Sequence, residues 1–297
     1  MSDQPAACVP AWASIFNRTR FDCFMTLVRE RLERSGERFT FGDGFVDVER
    51  EIGTATLGLG NLLQICHRAP VDDWPALIDE HFTALLRIGT PGSTMPGDEL
   101  LAEPLRARRA LRLRLLPASQ IAGMAQVASR EDLPGVITTL VLDLRNDIRA
   151  LTWDDCRRFV DPPARLFEIA LDNVRLKHPP QHLHVDESAP LRFLCSGHGD
   201  YYAATHALLL ARHPGHLGRF GAIVGVPSRH MVAVHAIEDE RVVQAIHRLT
   251  PFVQQCYRDG PGSITPVLYW HHDGRFERFD ASARDRLRER VTGATGG

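Results

Sequence analysis

Gly221-Ala222-Ile223-Val224-Gly225-Val226-Pro227-Ser228-Arg229-His230-Met231-Val232-Ala233-Val234-His235-Ala236-Ile237 reads as two apolar runs folded back on each other. The runs 221–226 and 230–237 have strand length and are rich in β-branched residues. Pro227-Ser228-Arg229 between them is a turn, because proline fixes φ and cannot donate to a ladder. A tight antiparallel pair of this kind needs a helix over one face. The segment 239–257 supplies one, since Val242, Val243, Ile246, Leu249 and Val253 form an apolar stripe at helical spacing.

Working outward, a strand at 191–195 and a helix at 201–212 precede this pair. The order is therefore β-α-β-β-α. The same order is expected upstream: strand 111–116, helix 118–129, strand 136–144, a turn at Arg145-Asn146-Asp147, strand 148–152, and a helical stretch 154–176 interrupted at Asp161-Pro162-Pro163. A last hairpin, 264–270 and 275–279, turns at His272-Asp273-Gly274. The first ninety residues read differently. A helix over 12–34 ends at Ser35-Gly36, and a hairpin (38–41 and 45–49) turns at Gly42-Asp43-Gly44. Two helices, 56–67 and 72–88, follow. Thr90-Pro91-Gly92-Ser93-Thr94-Met95-Pro96-Gly97-Asp98 carries two prolines and two glycines in nine residues and forbids regular structure. The expected fold class is α+β, with an N-terminal helix–hairpin–helix segment followed by two β-α-β-β-α units of mostly antiparallel sheet. The expected divisions are 1–89, a linker 90–104, a middle unit 105–180, a C-terminal unit 181–285 and a disordered tail 286–297.

Composition narrows the functional classes. A chain of 297 residues with 44% hydrophobic and 24% charged content can bury substantial cores. A net charge of -2 gives no global attraction to nucleic acid or acidic membranes. No apolar run reaches the ~20 residues of a membrane span, and the N-terminus lacks the pattern of a secretory signal. Cys8, Cys23, Cys66, Cys156, Cys195 and Cys256 are scattered and never form CxxC, as expected of reduced thiols in the cytoplasm. Arg106, Arg108, Arg109, Arg112 and Arg114 cluster within nine residues. They could form an anion patch, but a basic approach to a strand explains them more simply, with Arg112 and Arg114 alternating onto a wet face.

Three groups could carry chemistry. In His182-Leu183-His184-Val185-Asp186 a strand would place His182, His184 and Asp186 on one face, a donor set suited to zinc. Glu187 stands where the HxHxD motif of metallo-β-lactamase-like hydrolases has a further histidine, and an edge strand with a polar face explains the pattern without metal. In Cys195-Ser196-Gly197-His198-Gly199-Asp200, Cys195 or Ser196 could be a nucleophile and His198 a base. The GxSxG elbow is absent, however, and Asp200 suits the role of helix cap. Arg229 at its rigid turn could present a guanidinium to an anion, or pair with Glu238 or Asp239. His271-His272-Asp273 fits a polar turn. No Walker motif or dinucleotide fingerprint exists; Gly58-Leu59-Gly60 lacks the third glycine.

Four short stretches are familiar in their order: Leu59-Gly60-Asn61-Leu62-Leu63, Ala170-Leu171-Asp172-Asn173-Val174, Gly199-Asp200-Tyr201-Tyr202-Ala203-Ala204 and the Gly221–Arg229 strand and turn. Through them, over residues 36–280, the chain resembles the YtpQ-like family of uncharacterised bacterial proteins, a domain of unknown function. The resemblance implies a cytosolic α+β protein and no assigned activity. The expected function is a non-enzymatic, cytoplasmic protein-binding or assembly factor without a cofactor, partnered by another cytoplasmic protein. The rival is a zinc-dependent or Cys/Ser-nucleophile hydrolase with its site between residues 182 and 230.

Overall fold

The computed structural model describes residues 9–50, 53–86, 97–121, 123–144, 148–185, 189–196 and 200–293. The chain divides into two compact units, Met1–Pro96 and Gly97–Gly297. Helices and strands are mixed in both, and every strand pair among the described residues is antiparallel, so the protein is α+β. Among the described residues no helix is long and apolar enough to cross a membrane.

The first unit contains α1 (Arg18–Glu33), β1 (Arg38–Phe41), β2 (Phe45–Arg50), β3 (Gly53–Gly58), α2 (Gly60–His67) and α3 (Trp74–Leu86). Asn17 caps α1 by accepting the Arg20 N–H at 2.9 Å. The core gathers Phe24, Val28 and Leu32 of α1 with Val46 and Val48 of β2, and Phe16 stacks on Trp74 at 5.2 Å. The strand β3 replaces the start of the helix expected from residue 56. Thr56 pairs with Asp47 and Ala55 with Val48, so a free edge of β2 outweighs local helical preference.

In the second unit α4 (Asp98–Leu101) and α5 (Pro104–Ala110) occupy part of the expected linker. Next come β4 (Leu111–Pro117), β5 (Ser129–Leu133), β6 (Val136–Asp143), β7 (Ile148–Ala150), α6 (Trp153–Cys156) and α7 (Pro163–Lys177). The helix expected over 118–129 is reduced to a 3-10 turn, Ala118–Ile121. The open edge of β6 takes β5 instead. The turn 145–147 and residues 90–96 lie outside the described residues. The strands form a sheet of order β4-β6-β5, with β7 also on β6.

The remainder comprises β8 (Gln181–Val185), β9 (Leu191–Cys195), a 3-10 segment Ala203–Arg212, β10 (Ala222–Ser228), β11 (Met231–Ala236), α8 (Val242–Asp259), β12 (Leu268–His272), β13 (Arg275–Arg278) and α9 (Ala281–Gly293). These strands form a six-stranded sheet, β13-β12-β10-β11-β9-β8. The central hairpin pairs Val224 with Val234, and a bulge between Gly225 and Ser228 takes Pro227 into the strand, where its missing N–H does no harm. The turn is thereby shortened to Arg229-His230. The stretch 286–293, expected as the start of a disordered tail, lies within α9, which buries Ala283, Leu287 and Val291 at i, i+4 spacing.

Both faces of the six-stranded sheet are covered. On one, Ala245, Leu249 and Val253 of α8, with α9, pack on Ile223, Ala233 and Trp270. On the other, Val224, Val226, Val232 and Val234 meet Ala204, Ala207 and Leu210 of the 3-10 segment and Leu115, Leu133 and Val136 of the smaller sheet. The 3-10 segment is thus buried on several sides, and packing overrides the α-helix expected there. Two polar bonds join the layers: Thr205 Oγ1 donates to the Leu113 carbonyl (2.8 Å) and the Tyr269 hydroxyl to the Pro134 carbonyl (2.9 Å). Tyr269→Phe removes the second bond while keeping the ring, and is expected to lower the unfolding free energy by about 1 kcal/mol in urea denaturation.

Candidate functional site

A polar seam runs between the two sheets. The strand β4 sets Arg112 and Arg114 on one face, but that face is not wet as expected. Arg112 is 5% exposed, and the Arg114 Nε is buried. The 3-10 segment and the end of α7 close over β4, so alternation directs both guanidinium groups inward.

At one end of the seam every charge is answered. Arg112 donates from Nε to His178 Nε2 (2.8 Å) and from an η nitrogen to the carbonyls of Arg109 and Leu111, and lies 3.5 Å from Asp143. That contact fixes neutral His178 as the Nδ1–H tautomer, donating to Asp200 at 3.2 Å. Burial opposes charge on the His178 ring, but hydrogen bonds to Asp143 and Asp200 outweigh it and raise the pKa. A proton gained at Nε2 would exchange Arg112 for Asp143, 3.5 Å away. Asp200 also accepts the N–H of Tyr202, the residue that leads into the 3-10 segment (2.8 Å), but caps none of the segment's own N–H groups. Burial alone would raise the pKa of Asp200; bonds from His178 and Tyr202 hold it below the ordinary value. The Tyr202 hydroxyl is buried beside Asp143, and burial, reinforced by the charge of that carboxylate and a hydrogen bond to it, pushes its pKa far up. Asn173 ties α7 to β4 by donating to the Arg108 and Leu111 carbonyls.

At the other end the charges are not answered. Arg229, at the β10–β11 turn, donates from Nε to His230 Nε2 (3.0 Å) and lies over the Tyr201 ring at 4.6 Å. Its stem passes so close to Gly262 (φ +70°) that a Cβ there would sit 2.6 Å from Arg229 Cδ. Burial, then the like charge of Arg114, lowers the Arg229 pKa to about 10, and burial also lowers that of Arg114. Arginine side chains keep their proton in proteins at neutral pH, so both carry charge. Among the described residues no carboxylate pairs with either guanidinium. The expected partners are engaged elsewhere: Asp239 with Arg241 (2.8 Å), Glu238 with the Arg219 N–H (3.2 Å). Ser196 closes this end, its N–H donating to the His230 carbonyl (2.9 Å) and its Oγ buried without a partner.

The remaining expected site residues divide. Cys195 ends β9, and burial, then Cys256, raises its pKa, so the thiol stays protonated near neutral pH. His198 and Asp186 lie outside the described residues. His182 and His184 are exposed on the edge strand β8, on one face as period 2 requires. They do not meet each other's neighbours: His182 approaches His213 (5.4 Å between ring centres) and His216 (5.6 Å), whereas His184 stands opposite Arg192 in the ladder. Among the described residues no three His, Cys, Asp or Glu side chains stand in ligating positions.

Asp143 and His178 escaped the sequence reading, Tyr202 entered it only as part of a familiar stretch, and Arg114 only as a member of the five-arginine cluster that was assigned to a wet face. The available signal was an arginine at alternate positions of an otherwise apolar strand. In comparisons with known proteins, no family model, no curated protein and no solved structure matches the chain.

The charged end of the network sets a pH dependence. Because the folded pKa of Asp200 is depressed, its contribution is present above the ordinary carboxylate range and lost as pH falls through the folded value. Asp200→Asn is expected to cost about 1–2 kcal/mol at pH 7. The gap to wild type should close in denaturation curves taken at progressively more acidic pH.

Proposed function

We propose that the chain is a non-enzymatic binding protein of the cytoplasm that holds an anionic group, phosphate or carboxylate, of a partner molecule between Arg114 and Arg229. One observation carries the reading: two like-charged guanidinium groups stand together, largely withdrawn from water, with no carboxylate among the described residues to balance them. Burying unpaired charge costs several kcal/mol, and an anionic ligand recovers that cost. The Ser196 hydroxyl adds a neutral donor, and Tyr201, at the surface, covers Arg229. Planar guanidinium forks suit bidentate contact with either anion.

Other features agree. Arg229, Tyr201 and Asp200 belong to the stretches that carry the YtpQ-like resemblance, to which no activity attaches. Cys23, Cys66, Cys156, Cys195 and Cys256 are free thiols, in keeping with a reducing compartment. The rival hydrolase reading is weaker at this site. The Cys195 thiol is held protonated, and His230 Nε2 already accepts from Arg229, so that nitrogen is not free to take a proton from Ser196.

Calorimetric titration of the chain with inorganic phosphate and with citrate at low salt tests the proposal. One site is expected, weakened at least tenfold in Arg229→Gln and in Arg114→Gln but unchanged in Arg106→Gln. Equal binding by wild type and Arg229→Gln, or none by wild type, refutes it. A protein recovered from lysate with wild type but not with Arg229→Gln would show that the anion is borne by a macromolecule.

A further inference from the structure

Where the 3-10 segment leaves the seam, four imidazoles meet. His206 lies inside the segment; His213 and His216 follow it across Pro214 and Gly215, whose φ of +71° makes the bend. His182 reaches them from the edge strand β8. The ring centres of His182, His213 and His216 form a nearly equilateral triangle, with sides of 5.4, 5.5 and 5.6 Å.

Hydrogen bonds decide which nitrogens carry protons. The His178 carbonyl can only accept, so His206 Nε2, 2.8 Å away, is its donor. Neutral His206 then has its lone pair on Nδ1, and His213 Nε2, 3.0 Å from it, must be protonated. The free lone pair of His213 is therefore on Nδ1. In the same way His216 donates from Nδ1 to the Pro214 carbonyl (3.1 Å), which leaves its lone pair on Nε2, a buried atom with no partner. Two imidazoles are thus held as lone-pair donors, each by a bond to its other ring nitrogen. Metal-binding histidines are oriented by such outer bonds.

We propose that His182, His213 and His216 form a binding site for a divalent transition metal of zinc's class, with His206 holding His213 from behind. Metal–nitrogen bonds of about 2.0–2.1 Å in a tetrahedron put imidazole centres about 5 Å apart, close to the observed triangle. Burial, reinforced for His213 by the other imidazoles, lowers the pKa of His213 to about 4 and also depresses that of His216, so both are neutral ligands at pH 7. As the rings stand no three nitrogens converge; closure requires the His182 side chain to turn, and it is exposed on an edge strand. The Arg192 guanidinium, packed against Gly215, is the opposing charge. It favours an anionic fourth ligand such as hydroxide. This set shares only His182 with the HxHxD pattern.

The test is cobalt and zinc uptake by the untagged full chain, followed by equilibrium dialysis and by the visible absorption of bound Co²⁺. One equivalent with the intense bands of tetrahedral cobalt is expected. His182→Ala and His216→Ala should each weaken uptake at least tenfold, while His184→Ala leaves it unchanged. His182 is exposed, so its variant remains informative if His216→Ala fails to fold. No uptake by wild type, or uptake indifferent to His182→Ala, overturns the proposal. So does uptake that folded His216→Ala retains but His184→Ala loses, which would return the metal to the His182/His184 pattern.

Discussion

β10 is buried at every position from Ala222 to Ser228, and so the six-stranded sheet cannot leave either face to water. The helices α8 and α9 close one side. The 3-10 segment Ala203–Arg212 and the smaller sheet behind it close the other. Much of the unit's chemistry follows from that closure. It withdraws Arg112 and Arg114 from solvent, brings the Arg229 turn under Tyr201, and carries His206, His213 and His216 to the edge strand that bears His182.

The two ends of the seam show the same cost met in different ways. Arg112 is buried, yet Asp143, His178 and the Arg109 and Leu111 carbonyls satisfy it. Its role is to lock α7 and the 3-10 segment onto β4. Arg114 and Arg229 have no carboxylate partner among the described residues, and the like charge of Arg114 adds to burial in lowering the basicity of Arg229 instead of relieving it. In a low-dielectric setting an unanswered pair is a stronger indication of a missing ligand than any count of arginines in the sequence. The five-arginine cluster is a case in point. Arg106 pairs with Glu103 at the surface and Arg108 with Asp161; only the members that enter the strand bring their guanidinium groups into the seam.

The histidines follow the same logic. Fourteen histidines make clusters by chance common, and spacing alone singled out His182 and His184. Hydrogen bonding singles out His213 and His216, because each has one ring nitrogen committed to a fixed acceptor and the other left with its lone pair.

Several features of the fold were legible in the sequence because they depend on local periodicity. The α+β class, the Val224–Val234 hairpin, the strand Leu191–Cys195 and the apolar stripe of α8, apart from Val243, which is exposed, follow from the period of the apolar residues and the position of Pro and Gly. Arg229 and Ser196 were legible as residues at turns. Tertiary structure alone decided that 118–129 keeps only a 3-10 turn before the edge strand Ser129–Leu133, that 203–212 tightens to 3-10, and that α9 docks, since each outcome depends on an open sheet edge or face elsewhere in the chain. It also decided which arginines are buried and which imidazole nitrogens are free. Burial and hydrogen-bond partners are properties of contacts between residues as far apart as Arg112 and His178, and no local pattern encodes them.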